Sequence, residues 1–213
     1  MALNKLKFNS LNVTPAASEG IRFNSSANGL ETASAGGSLV KIASNTASSS
    51  SSLSFTSGLT STHKEYIFFC NNMNPQTQSA FQFNLSADSG SNYNVTKTAT
   101  YFRVHHNESG SSTAFSGEFG NATHQETTYQ NLGDSCGTES DECISGYLHL
   151  FEPSSTTFVK HFIAVFSEYN GGDFLRNTFI GGYANTTSAT DAIDFKFSSG
   201  NIDSGTITMY GVL

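Results

Sequence analysis

Six histidines, three cysteines and a small group of carboxylates are the residues of this chain best suited to chemistry. His105 and His106 stand side by side in FRVHHNES. In a strand, successive side chains point to opposite faces, so this pair is badly placed to share one metal ion. Two histidines near a strand end are the simpler reading. His149 and His161 sit among apolar neighbours and read as hydrogen-bonded sheet histidines, while His63 and His124 fall in polar stretches. Asp134, Glu139, Asp141 and Glu142 could offer hard oxygens to calcium. They lack the alternating Asp/Asn order of a calcium loop, so a solvated acidic loop is preferred. No Gly-x-Ser-x-Gly elbow, phosphate-cradling glycine loop or His-Glu-x-x-His pair occurs. Glycoside hydrolysis would need two carboxylates at a set separation, which a sequence does not display. The expectation is therefore a chain without catalytic residues, metal or cofactor.

Cys70, within EYIFFCNN, reads as a small buried hydrophobe. Cys136 and Cys143 lie eight residues apart, counting both ends, in DSCGTESDECISG. A bridge between them would restrict the unfolded chain by about 2.5 kcal/mol. Bridged and free forms are both open at this point. The chain has no Trp, which weakens an ordinary sugar-stacking platform. Tyr169 and Phe174 in EYNGGDF and Tyr183 in GGYANTT are the candidate ligand-loop aromatics, and a surface glycan is the ligand they would suit.

These residues must be positioned by strands. SLVKIAS, SLSFTSGL, EYIFFCNNM, SAFQFNLSAD, NVTKTATYFRVHH, ECISGYLHLFE, TTFVKHFIAVFSE, FLRNTFIGGYAN, AIDFKFSS and SGTITMYGVL give about ten candidates, each bounded by Gly, Ser, Asn, Asp or Pro. Regular short strands with turn clusters predict an all-β, jelly-roll-like antiparallel β-sandwich of about 8–10 strands. Phe158, Lys160, Phe162, Ala164 and Phe166 alternate with Val159, His161, Ile163 and Val165, so this strand is apolar on both faces. It should be central, or covered on its second face. Residues 110–142 exceed ordinary loop length, which predicts an added strand or a functional loop. At the C-terminus, Ile207, Met209 and Gly211 alternate with Thr206, Thr208 and Tyr210, as in a half-buried strand tied into a sheet.

Composition narrows the function classes. The net charge is -7 and the ten Lys and Arg residues are scattered, which disfavours nucleic-acid binding. No run approaches about 18 apolar residues, so no membrane insertion is expected. MALNKLKFNSLNV is too polar for a signal-peptide core. Seven Asn-x-Ser/Thr triplets would be glycan acceptors in a secreted chain, but a sequence this rich in Asn, Ser and Thr makes them by chance.

Residues 1–37 differ from the sandwich at 38–213. Their apolar residues, Leu6, Phe8, Leu11, Val13, Ile21 and Phe23, are too few to enclose a core, and ASAGGS supplies a flexible joint. Ordering some 37 residues costs on the order of 37 kcal/mol. The segment therefore reads as an extended arm that lies along another surface, with a partner chain the better choice.

KFNSLNVTPAASEGIRFNSSANGLET, GSLVKIASNTASSSSSLSFTSGL, SGYLHLFEPSSTTFVKHF and GGYANTTSATDAIDFKFSSGNIDSGTITMYG together resemble short virion structural proteins of tailed phages infecting marine bacteria. The likeness spans nearly the whole chain and carries no catalytic residues. It implies a non-enzymatic virion protein, assembled in the bacterial host cytoplasm and bound to other virion proteins through the arm. Its sandwich would be a tail-fibre or appendage subunit that contacts a host surface glycan, or a capsid decoration. Phage surface proteins are commonly trimeric, so a homotrimer is implied. A free-standing carbohydrate-binding β-sandwich module is the alternative.

Overall fold

The computed structural model describes residues 19–34, 37–117 and 119–213. The chain divides into two compact units between Val40 and Lys41. In the first, β1 (Glu19–Phe23) pairs antiparallel with β2 (Leu30–Ser34), with Ile21 opposite Thr32 and Phe23 opposite Leu30. The connection closes where the Asn24 amide donates to the Gly29 carbonyl at 2.9 Å. The described part of the arm is thus a hairpin and not one extended stretch. Among the described residues this hairpin has no second layer to cover its apolar side chains. Accordingly Ile21 is 42% and Phe23 71% exposed. The other arm residues singled out above, Leu6, Phe8, Leu11 and Val13, lie outside the described residues.

The second unit is an antiparallel β-sandwich of two unequal sheets. All ten expected strands are present: β3 (Leu39–Thr46), β4 (Leu53–Phe55), β5 (Glu65–Pro75), β6 (Phe81–Ser86), β7 (Lys97–Asn107), β11 (Ile144–Phe151), β12 (Lys160–Asn170), β13 (Phe174–Ala184), β14 (Ala192–Phe197) and β15 (Ile202–Val212). The long connection after β7 adds β8 (Thr113–Gly117), a 3-10 turn at Phe119–Asn121, β9 (His124–Glu126) and β10 (Gln130–Asn131). The larger sheet has the order β3-β15-β5-β11-β12-β13-β7-β8, with β9 also pairing β7, and the smaller has the order β10-β6-β14-β4. The expected added strand in 110–142 is therefore several short strands, shared between the two sheets. No helix among the described residues is long and apolar enough to cross a membrane.

Phenylalanine alternation builds the core. Phe81, Phe83 and Phe195 project from the smaller sheet, and Phe68, Phe162 and Phe166 from the larger, all essentially without solvent exposure. Their rings meet between the layers: Phe83 on Phe162 at 5.1 Å, Phe81 on Phe166 at 5.9 Å and Phe195 on Phe68 at 5.5 Å. The first two pairs are edge-to-face, the arrangement that sets the positive edge of one ring on the negative face of the other. Each such side chain contributes about 1.5–3 kcal/mol through burial.

A bulge sets the register of β15 against β5. Gly205 has φ of 122°, and a Cβ there would lie 2.7 Å from both the Asn72 carbonyl oxygen and Met73 Sδ. Only glycine fits this bulge, where the register of β15 against β5 shifts. β15 itself lies between β3 and β5, inside the sheet and not at its edge.

Candidate functional site

The three candidate ligand aromatics do not converge, and none is on a loop. Tyr169 is on β12, while Phe174 and Tyr183 are on β13. Tyr169 is directly opposite Leu175 and Tyr183 opposite His161. The eight steps from Leu175 to Tyr183 separate the two tyrosines by roughly 26 Å along the strand. Phe174 is opposite the buried Asn170 and packs on His105 at 5.4 Å, so it faces the other side of the sheet. Gly171 and Gly172 do make a turn, but Gly181 and Gly182 lie inside β13. A Cβ on Gly182 would meet the Thr98 carbonyl oxygen at 2.5 Å, so that glycine serves close strand approach.

The cysteines are free thiols. Cys136 is completely buried, with its Sγ 3.7 Å from the Met73 carbonyl oxygen, whereas Cys143 is partly exposed with its Sγ 4.0 Å from Asn72 Oδ1. Burial pushes the thiols of Cys70 and Cys136 well above the ordinary range, which suppresses the reactive thiolate. Cys70 is fully buried on β5. His105 and His106 alternate, the first partly buried and the second exposed. Among the described residues, no three His, Cys, Asp or Glu side chains are grouped to hold a metal ion.

The acidic residues of the long connection are split. Glu142 is buried and accepts from the Glu139 amide at 2.7 Å, bracing its own loop. Asp134 instead joins a charged cluster, where it pairs with Arg103, and with Arg176 at 3.2 Å. Glu168, fully buried on β12, accepts from the amides of Asp134 at 2.8 Å and Ser135 at 3.1 Å, and lies 3.5 Å from Arg176 Nη1. Burial raises the Glu168 pKa, opposed by those two amides and by Arg176. Two carboxylates and two guanidiniums balance in charge. The two amide contacts of Glu168 fasten the connection to the sheet, so the cluster acts as a clasp.

A different surface, on the outside of the larger sheet, gathers the most unusual side chains. Phe69, Tyr147, Val165, Phe179 and Phe102 are successive cross-strand partners on β5, β11, β12, β13 and β7. Their rings touch across the sheet: Phe69 with Tyr147 at 6.3 Å, Phe102 with Phe179 at 5.2 Å, and Phe102 with Phe115 of β8 at 5.9 Å. Tyr210 of β15 extends the row, 5.7 Å from Phe69. Ile67, His149 and Ile163 form a parallel row, and Val104 lies beside Phe115.

The structure thus bears out the two-faced reading of the β12 strand and widens it. Phe162, Ala164 and Phe166 are buried, while Ile163 is 50% exposed with no layer of described residues over it. Sequence reading missed the row as a whole. The signal was present in β5, where Tyr66, Phe68 and Cys70 alternate with Ile67 and Phe69, and in β7, where Ala99 and Tyr101 alternate with Phe102 and Val104.

Compared with known proteins, the chain matches no family model, and neither a curated protein nor a solved structure shows significant similarity to it.

Proposed function

We propose that the chain is a non-enzymatic structural protein of a phage virion, tethered by its N-terminal segment and displaying its β-sandwich. In this reading the sandwich is a tail-fibre or appendage subunit, or a capsid decoration, and its partners are other virion proteins. The resemblance in sequence motifs suggests the particle. The observation that carries the division of labour is the contrast between the two units. The sandwich closes a core of its own, while the hairpin leaves Phe23 largely and Ile21 partly uncovered. Exposed apolar side chains on an element that cannot bury them are suited to docking on another surface.

The test is incorporation into particles. A chain beginning at Gly37 should keep the circular dichroism and melting of the sandwich but be lost from purified virions, and Ile21→Ser with Phe23→Ser should reduce its incorporation. Undiminished incorporation of the shortened chain would end the tether reading. Absence of the full-length chain from purified virions would end the virion reading itself.

A further inference from the structure

Among the described residues the outer face of the larger sheet has no layer over it, yet its composition is that of an interior. Phe115 is 73% exposed, Ile163 50%, and Phe102, Val104, Tyr147, Leu175 and Phe179 between 37% and 40%. Taking about 200 Å2 for a complete aromatic side chain and somewhat less for an aliphatic one, these residues offer on the order of 600 Å2 of apolar surface. Each side of a standard protein interface buries about 800 Å2, and the half-buried Phe69, Val165 and Tyr210 help fill the difference.

Charge identifies the occupant. Seventeen Asp and Glu residues give the chain a net charge of -7, so two copies repel over most of their surfaces. From β5 to β7 the outer face carries one carboxylate, Glu65, and it is paired with His149 at 2.9 Å. Aromatic enrichment with charge depletion is the composition of an interface centre. The row is also in register across five strands. Such a surface packs best on another sheet, about 10 Å away with strands some 30° apart.

We infer that this face is a self-association surface on which a second copy of the chain packs sheet to sheet, with the row from Phe69 to Phe102 at its centre. The contact is isologous, each copy presenting the same patch, and it closes at two copies. This goes beyond the virion reading and does not depend on it. Where the resemblance implies a homotrimer, this inference has pairwise closure at this face.

Sedimentation velocity of the full chain across about 1–100 µM decides the matter, with self-association weakened by at least about 100-fold in the interface variants. The unsubstituted chain should sediment at twice its 22.7 kDa mass. Ile163→Glu and, separately, Phe115→Glu should give monomers with unchanged circular dichroism, because each carboxylate enters the symmetric contact twice. Phe23→Ser, on the hairpin, should leave the dimer intact. A monomer throughout the range, a dimer indifferent to both face substitutions, or a trimer would overturn the inference. If Ile163→Glu fails to fold, Phe115→Glu alone on edge strand β8 carries the test.

Discussion

The rings of Phe102 and Phe179 lie 5.2 Å apart with their planes only 11° from parallel, joining β7 to β13 on the solvent side of the larger sheet. An inward-facing pair would be held by the surrounding core. These two are 40% and 37% exposed, so their mutual contact carries more of their packing. A cycle of Phe102→Ala, Phe179→Ala and the double variant should give a coupling of about 0.5–1 kcal/mol. It should be measured by urea unfolding at dilutions where the chain is monomeric. Additive single effects would mean that the stacking contributes nothing beyond burial.

The clasp around Glu168 predicts a larger and more local effect. Glu168→Ala leaves two backbone amides and the Arg176 guanidinium without their shared acceptor, and should cost roughly 2–4 kcal/mol. Hydrogen exchange should speed up at Asp134 and Ser135 before the central strands respond. A loss under 1 kcal/mol with those amides still protected would show that the connection is held by other contacts.

Lys97 predicts a pH dependence. Its side chain is fully buried, donating to Asn84 Oδ1 at 2.5 Å and the Val95 carbonyl oxygen at 2.9 Å, and burial lowers its pKa to about 7. The unfolded chain keeps the lysine protonated up to its ordinary pKa near 10.5. Between about pH 7 and 10 the unfolded state therefore binds more protons, and stability rises with pH. This lysine alone should contribute up to about 1.4 kcal/mol per pH unit in that window. Lys97→Met abolishes the contribution, so the stability difference between the two proteins should grow from pH 7 to pH 9. A constant difference would exclude the titration.

The thiols predict an order of modification. Under native conditions iodoacetamide should label Cys143 alone, slowly, since partial burial also raises its pKa. Cys70 and Cys136 should react only after unfolding. Non-reducing mass spectrometry that found Cys136 bridged to Cys143 would require Cys136 to leave the core.

Strand identity was legible because period-two alternation is a local property, and it located β5, β12 and β15 correctly. Less legible was anything that depends on a neighbour across the sheet. The row from Phe69 to Phe102 draws one residue from each of five strands, and no window of sequence brings them together. The clasp likewise joins Asp134 to Glu168 and Arg176, far along the chain. Turn chemistry misled at one place: Gly171 and Gly172 turn the chain, whereas Gly181 and Gly182 lie inside β13, where Gly182 leaves room for the Thr98 backbone. The same residue type answers two different physical demands, and only the packing distinguishes them.

The interior position of β15 bears on how the protein is made. Ser44 and Thr208, 164 positions apart, share a hydrogen bond of 2.9 Å between β3 and β15. Until residues 202–212 leave the ribosome, β3 has no neighbour in the larger sheet and β5 presents an open edge. Contacts of such long sequence separation form slowly, and an unpaired strand edge invites pairing with other chains. Synthesis of β15 therefore sets the moment at which a nascent copy ceases to be a template for its neighbours on the same message, and a stall shortly before residue 202 should yield aggregates where a completed chain yields folded protein.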